Sequence, residues 1–442
     1  MNIKKRPRTA RTSTKKVNIQ KGANGLTTQA GLIPVVKFLQ KQDIKSIILE
    51  TLEHARGSNA LYDAFDAIFI CIIGIVGGAR SMSGIITVWA DVVLCRIAGW
   101  IRIPHETTLS RLIRTFHYRN VNNLEIVVHK MRGRIWKKAL RNGTSMVRAC
   151  SCHIIDVDST VKTVYGNQEG AAKGYNPHKR GAKSYHPLLA FSAVTKEILQ
   201  GWLRSGDVYT SAGIVEFMKQ LLAHMPDGMR IIFRGDSGFF LGTLLDFLEK
   251  NGHGYLIKVK LKNLVQLLAG QAWEKVPGHP GWEQCSFWHR CANWRFVAVR
   301  RLKEREEQHP VLFEVQEYDY FCYVLTEDMT PWEAHNVYGK RATCETWIEE
   351  AKNQMALAHI KTDDFWASSV LFQCSVLAYN TVRWMGLCSK NTQLRRWEPS
   401  TIRTFLIRVA GKLTSGSRQL KLSVPDRMLH MKEWDVWIAF VT

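Results

Sequence analysis

From about residue 148 the sequence predicts a mixed α/β fold, and three observations carry that expectation. The hydrophobic period shortens from helical spacing to alternation, short apolar runs are bounded by Gly and Pro, and strand-like and helix-like segments then alternate along the chain. In order, CHIIDVDSTV, HPLLAFSAVT and a piece near EILQGWLRSG read as three strands. A helix is expected over 212–224, then the strand MRIIFRGDSG, a helix over 241–249 and the strand YLIKVK. Three strands, helix, strand, helix, strand and a later helix is the element order of an RNase H-like α/β domain.

The flanks divide by composition. Residues 1–30 read as a flexible basic arm, because MNIKKRPRTARTSTKK carries seven Lys/Arg and no acid, and no apolar segment of a secretory signal follows. Residues 31–147 are expected to be mostly helical, with apolar positions at helical spacing in 36–52 and 61–76. Within them IRIPHETTLSRLIRTFHYR has a helix start at Pro104 and Thr107–Thr108, followed by Arg111, Arg114 and Arg119. It reads equally as the second half of a DNA-reading helix-turn-helix or as a basic surface helix. The α/β domain is expected over 148–260 and again over 327–388, interrupted at 261–326 by a β-rich insertion. That insertion holds WRFVAVRRL, LFEVQEY, YFCYVLT and four tryptophans, Trp273, Trp282, Trp288 and Trp294. Each tryptophan reads better as core than as a platform for an unpaired base, although rings on a basic background suit such stacking. Residues 389–442 add a helix at TIRTFLIRVAGKL, a strand at RQLKLSV and a region suited to dimerisation.

Bulk composition narrows the function classes. With 46% hydrophobic and 22% charged residues, the 442-residue chain has the makeup of a folded soluble protein. Its 61 Lys+Arg against 38 Asp+Glu leave a formal charge of +23, which points to a polyanionic partner. The apolar run AIFICIIGIVGGA is shorter than the roughly 20 residues that span a bilayer, so it is expected as a buried helix and no membrane partner is expected. Several of the ten cysteines lie within apolar runs, as reduced core thiols of a cytoplasmic protein do. The group Cys150, Cys152, His153 lacks a second pair that would complete a zinc site.

In an RNase H-like domain, metal-holding acids converge from the first strand, the end of the fourth strand and a late helix. Asp156 and Asp158 lie on the first strand at i and i+2, on one face. Asp236 ends RIIFRGD, where the strand turns. The late helix is expected at YGKRATCETWIEEAKNQM. With Tyr338 at zero, ~100° per residue puts Arg341 near −60°, Glu345 near −20° and Lys352 near −40°, a stripe roughly 21 Å long. Glu349 shares it, near +20°. Periodicity leaves both Asp156 against Asp158 and Glu345 against Glu349 open. Clustered carboxylates raise one another's pKa unless divalent cations neutralise them, so such convergence implies metal.

The spacing of Tyr338, Arg341, Glu345 and Lys352 resembles the YREK signature of DDE transposases of the insertion-sequence 4 superfamily. IDVDSTV, YGNQEGAAKGYNPHKRGAKSYHPLLAF and FRGDSGFF resemble blocks of its insertion-sequence 1380 branch, well over about 150–385 and loosely in the flanks. The resemblance implies a retroviral-integrase-like catalytic domain in which Asp158, Asp236 and Glu345 bind two Mg²⁺ ions, with Mn²⁺ able to substitute. It implies that Tyr338, Arg341 and Lys352 contact the DNA backbone near the cut. It also implies a homodimer that pairs two terminal inverted repeats of double-stranded DNA in a bacterial cytoplasm and joins the cleaved ends to target DNA.

The chemistry of the residues agrees with those roles. Two ions about 3.5–4 Å apart activate one oxygen and stabilise the leaving one, which serves both hydrolysis at the element end and transesterification by the 3′-OH. Arg341 can grip a phosphate with two donors, Lys352 supplies a point charge, and Tyr338 can donate a hydrogen bond. The basic loop 166–184, with Lys173, His178, Lys179, Arg180 and Lys183, either tracks phosphates or is a solvated hairpin. Two competing functions share these features: a hydrolytic nuclease of the same fold, and a DNA-binding regulator that no longer cuts.

Overall fold

The computed structural model describes residues 18–19, 21–144, 147, 152–177, 179–288, 293–303, 317–416 and 419–440. Most of the basic arm, Cys150, His178 and nearly all of LFEVQEY lie outside the described residues.

A nine-stranded mixed sheet organises the chain. Its strands are β1 (His153–Ser159), β2 (Leu188–Ser192), β3 (Ile198–Trp202), β4 (Ile231–Gly235), β5 (Gly254–Lys258), β6 (Glu274–Lys275), β7 (Trp282–Trp288), β8 (Arg295–Leu302) and β9 (Tyr318–Leu325). Across the sheet they run β6-β7-β8-β9-β5-β4-β1-β2-β3. β1, β4 and β5 are mutually parallel, β2 pairs antiparallel with β1, and β3 pairs antiparallel with β2. This is the strand order and direction expected of an RNase H-like domain. All five residues of β4 are buried, and its inward faces are apolar but for Arg234, which pairs with Asp156 of β1. The expected insertion forms no separate sheet: β9 pairs antiparallel with β5, so β6–β9 extend the same one.

The main helices are α1 (Ala64–Gly77), α2 (Tyr118–Arg141), α3 (Ile214–Leu222), α4 (Gly242–Lys250), α5 (Pro331–Gly339), α6 (Ala342–Glu349) and α7 (Phe365–Cys388). α1 begins at a reciprocal cap in which Asp63 and Asp66 each accept the other's backbone N–H. It is buried almost all round, as its apolar sequence requires, and packs against α7. Among the described residues a large hydrophobic core runs from the N-terminal helices through α7 to the sheet, with a smaller cluster between the other sheet face and α5. No single described helix is long and apolar enough to cross a membrane.

Two expected helices differ. The stretch 338–355 is not one straight helix: α5 ends at Gly339, two residues intervene, α6 follows, and Glu350–Gln354 form a π-helical turn. The cause of the first break lies on β4. Buried Arg234 donates from Nη1 to the Val337 carbonyl at 2.5 Å, the oxygen that the Arg341 N–H would use in a continuous α-helix. Arg341 N–H instead bonds Tyr338 O at 2.8 Å, an i→i−3 turn. At the second break, buried Glu350 is held by Arg383 and Tyr379 of α7, and the Met355 N–H reaches Glu350 O in the wider i→i−5 pattern. The other difference is TIRTFLIRVAGKL, which divides into the end of a short helix (Pro399–Ile402), a π turn (Arg403–Ile407) and a strand (Gly411–Gly416). That strand pairs with Leu26–Thr27 and Gln419–Ser423 in a small separate sheet.

Candidate active site

The parallel register of β1 and β4 sets Asp156 beside Arg234 and Val157 beside Gly235, so Asp158 and Asp236 leave neighbouring strands at the same edge. Strand alternation sends Asp156 and Asp158 to one face, and the structure separates their roles. Asp156 is fully buried and takes two hydrogen bonds from Arg234, Nε to Oδ1 at 2.5 Å and Nη2 to Oδ2 at 2.8 Å. Both oxygens are consumed by that fork. Asp158 lies one step nearer the open edge. Its Oδ1 accepts the Ser159 N–H at 2.8 Å, and its Oδ2 stands 2.8 Å from Nη2 of Arg341.

The Arg341 contact is a charge contact rather than a directed bond. Neither Nη2 nor Nε of this buried guanidinium has a hydrogen-bond partner. Its Nη1 lies 3.9 Å from Glu345 Oε1, and the Glu345 side chain is 70% exposed. A buried guanidinium with unused donors is costly unless a further acceptor joins it.

Burial pushes the Asp158 carboxyl up to about 6, Arg341 opposes that rise, and Asp236 and Glu345 add to it by repulsion. Burial lowers Arg341, but Asp158, Tyr338, Cys344 and Asp236 together drive it above its ordinary value. Asp236 caps the 3₁₀ turn Ser237–Phe239, its Oδ1 accepting the Gly238 N–H at 2.9 Å. Tyr338 packs on Tyr323, with ring centres 4.7 Å apart, and burial pushes its hydroxyl up to about 12, against Arg341 and with help from Asp236 and Asp158. The three expected site residues on 338–345, Tyr338, Arg341 and Glu345, and the aspartates Asp158 and Asp236 are therefore linked electrostatically. Lys352 does not join the Arg341–Asp158 contact, because the helix break and the π turn intervene; it lies on the π turn beside His359. Glu349 accepts from Asn353 on the following π turn, and of the two acids it is Glu345 that faces Arg341.

Three hard carboxylate oxygen donors suit divalent cations such as Mg²⁺. The two repulsions felt by Asp158 are the imbalance a cation relieves. As they stand, however, no three His, Cys, Asp or Glu side chains among the described residues are grouped to hold an ion. Asp158 Oδ2 faces Arg341, and Glu345 lies beyond that guanidinium.

The remaining expected contacts are spread out. Lys173, Lys179 and Arg180 are exposed on the loop beyond β1. Lys179 stacks 4.6 Å over Tyr165, and Lys183 reaches Asn167. The loop is ordered by a three-stranded sheet of its own (Lys162–Thr163, Ala172–Lys173 and Lys183–Tyr185) and by a close approach to Gly206. A Cβ at Gly206 would stand 2.1 Å from Ser184 O and 2.5 Å from Ala172 O. Arg111 is exposed on the short helix Glu106–Ile113, whereas Arg114, just past its end, is paired with Asp363. Trp273, Trp282 and Trp294 pack against other rings, and Trp288 is 66% exposed.

Sequence reasoning missed Arg234, Glu350 and Arg403, which shape the site without touching its open edge. Arg234 had a signal: it stands at i−2 from Asp236, on the same strand face.

Comparison with known proteins gives a family. The family model described as "Transposase DDE domain group 1" matches residues 9–437. No curated protein sequence matches significantly. Among solved structures, the cryo-EM structure of the piggyBac transposase synaptic complex with hairpin DNA is similar at 13% identity and a TM-score of 0.40, over 83% of this chain and 81% of that one.

Proposed function

The chain belongs to the transposase DDE domain family, and from that premise we propose that it is the DNA transposase of an insertion sequence of the insertion-sequence 4 superfamily, insertion-sequence 1380 branch. It cleaves DNA at the ends of its element and joins the resulting 3′-OH ends to target DNA. The observation that carries this reading is the edge where Asp158, Asp236 and Glu345 surround Arg341, a buried guanidinium with two nitrogens unbonded. Such a guanidinium has acids near it yet retains two nitrogens with no directed acceptor. A phosphodiester provides one, in the two-donor geometry that arginine favours.

In this reading Arg341 takes a non-bridging phosphate oxygen and releases Asp158. Tyr338 donates its hydroxyl proton to a neighbouring backbone oxygen; with its pKa raised, it remains a neutral donor at physiological pH. Lys352 adds a point charge farther along the strand. Asp158, Asp236 and Glu345 would hold the divalent cations on which the family depends, Mg²⁺ by preference and Mn²⁺ as a substitute. When bound, those ions supply an activated nucleophilic oxygen and stabilise the leaving one. The exposed backbone-facing cations Lys173, Lys179, Arg180 and Arg111 extend the DNA contact, with Arg114 doing so on exchanging its Asp363 partner. A homodimer pairing two inverted-repeat ends, in the bacterial cytoplasm, completes the proposal.

The test uses the purified chain, a duplex carrying the terminal repeats that flank its gene, and Mg²⁺. Joined products are expected, with chelation stopping cleavage while leaving duplex binding, and Asp236→Ala abolishing cleavage. Cleavage without joining would favour the nuclease reading, and binding without cleavage the regulator. Cleavage unchanged in Asp236→Ala would refute the assigned site.

A further inference from the structure

Beyond the open edge, the π turn carrying Lys352 leads into a seam of positive charge that the site described above does not use. His359 faces Arg80, Lys162, Lys352 and Lys361, all of which lower its proton affinity after burial itself. Its Nε2 is buried without a hydrogen-bond partner. Lys162 and Lys361 are bound to each other's segments: Lys162 Nζ donates to Ile360 O at 2.9 Å, and Lys361 Nζ to Thr163 O at 3.4 Å. These bonds hold the residues following β1 against the segment following the π turn. Burial and Lys361 together push the Lys162 ammonium down to about 7.

Arg403 fixes the other side. It donates to Val76 O at 3.1 Å and Ile75 O at 3.4 Å, at the end of α1, and to Gln354 O at 2.7 Å, at the end of the π turn. One buried side chain thus clamps the turn after α1 to the turn carrying Lys352. The α1 turn is Gly77-Gly78-Ala79-Arg80. Gly78 has φ +107°, and a Cβ there would stand 3.0 Å from Arg403 Cδ and 3.5 Å from Arg408 Nη2. Beside it opens a cleft of about 520 Å³, lined by Arg80, Arg408, Thr28 and Gln29 among others. Arg80 and Arg408 are exposed, and Lys352 and Lys361 half-buried.

Among the described residues, none of Arg80, Lys162, Lys352, Lys361, Arg403 or Arg408 is ion-paired with an acid, although the chain pairs many of its other arginines. Holding so many unneutralised cations together is unfavourable in the free protein unless an anion compensates. An anion served by the whole row must be extended and repeatedly charged.

We propose that Arg80, Lys361 and Arg408 form, with Lys352, a seam that binds the phosphate backbone of duplex DNA running away from the active site. This rests on the transposase reading and specifies where the DNA lies beyond the cut: over the α1 turn, on the helical region, rather than only along the loop at 166–184. Lys162, His359 and Arg403 position the seam from beneath.

The test measures binding of a labelled element-end duplex to the full chain as a function of salt. Each lost phosphate contact lowers the slope of log K against log salt by about 0.9. The double variant Arg80→Gln/Arg408→Gln is expected to lower it by roughly 2, and Lys361→Gln, a milder change, by roughly 1. Removing the same charge elsewhere, with Lys219→Gln/Lys250→Gln, should leave the slope at the wild-type value. Thermal melting establishes that each variant is folded. A wild-type slope in both seam variants, or an equal fall in the control, would overturn the seam. Those results leave end cleavage and its dependence on Asp236 standing, whereas a wild-type chain that binds no duplex removes both readings.

Discussion

Two Asp–Arg pairs stand two residues apart on the same face of β1, and they are built for opposite ends. Asp156–Arg234 is closed: both side chains are almost wholly inaccessible, two hydrogen bonds join them, and the third guanidinium nitrogen donates to Val337 O. Asp158–Arg341 is open: the contact is undirected, two arginine nitrogens are unbonded, and the exposed Glu345 waits 3.9 Å away. A closed pair satisfies itself and fixes structure; an open pair keeps donors and charge for something outside the chain. The closed pair also makes the open one, because Arg234, by taking Val337 O, breaks the helix at the residues that present Arg341.

Breaking the closed pair should have the largest effect. Arg234→Ala leaves a buried carboxylate alone and is expected to cost about 3–5 kcal/mol in denaturant unfolding. The apolar replacement Asp156→Leu/Arg234→Met should recover most of that stability. It should still cleave slowly, because Val337 O is free again to bond the Arg341 N–H and straighten the helix. If the double variant were as unstable as Arg234→Ala, the pair's closure would not be the reason for its burial.

The open pair should respond in binding rather than in folding. Arg341→Gln is expected to weaken duplex binding by roughly 1.5–3 kcal/mol, the range of a charge-assisted hydrogen bond, and to shift the melting temperature little. A variant that bound duplex normally but melted early would make Arg341 a structural residue like Arg234.

A third buried carboxylate sharpens the contrast, because it has no basic partner at all. Glu125 of α2 accepts from the amides of Gln200 and Gln373, and burial, opposed by hydrogen bonds from Trp202 and Gln200, pushes its carboxyl up to about 8 from 4.5. The folded state therefore keeps this proton after the unfolded chain has released it. Its contribution to stability is complete below about pH 4.5 and declines as pH rises to about 8. Within that window the loss approaches about 1.4 kcal/mol per pH unit, and Glu125→Gln should remove it. Melting temperatures at several pH values would show whether the slope disappears.

Much of this was legible in the sequence, and the limits have physical causes. Alternation and turn residues locate the strands from β1 to β5 because each is a short apolar run whose neighbours must cover it. The acids at 158, 236 and 345 could be placed on a first strand, a fourth strand and a late helix by the same reasoning. What stayed hidden is tertiary. The helix break at Lys340–Arg341 is imposed by Arg234, 103 residues away along the chain from Val337, and no local propensity records it. The choice of Asp158 over Asp156 depends on which one Arg234 consumes. The π turn at Glu350–Gln354 follows from the buried contacts of Glu350 with α7, and it carries Lys352 off the stripe that a straight helix would give.

The most direct measurement compares Asp158→Asn with Asp156→Asn in one assay of element-end cleavage, with the rate expressed per folded molecule. The account predicts that Asp158→Asn folds as the wild type does yet loses roughly three orders of magnitude in rate, the scale of several kcal/mol of transition-state stabilisation. Asp156→Asn should unfold more readily while its folded fraction still cleaves. The reverse pattern, with Asp158→Asn active and Asp156→Asn stable but inactive, would contradict the division between the open and the closed pair.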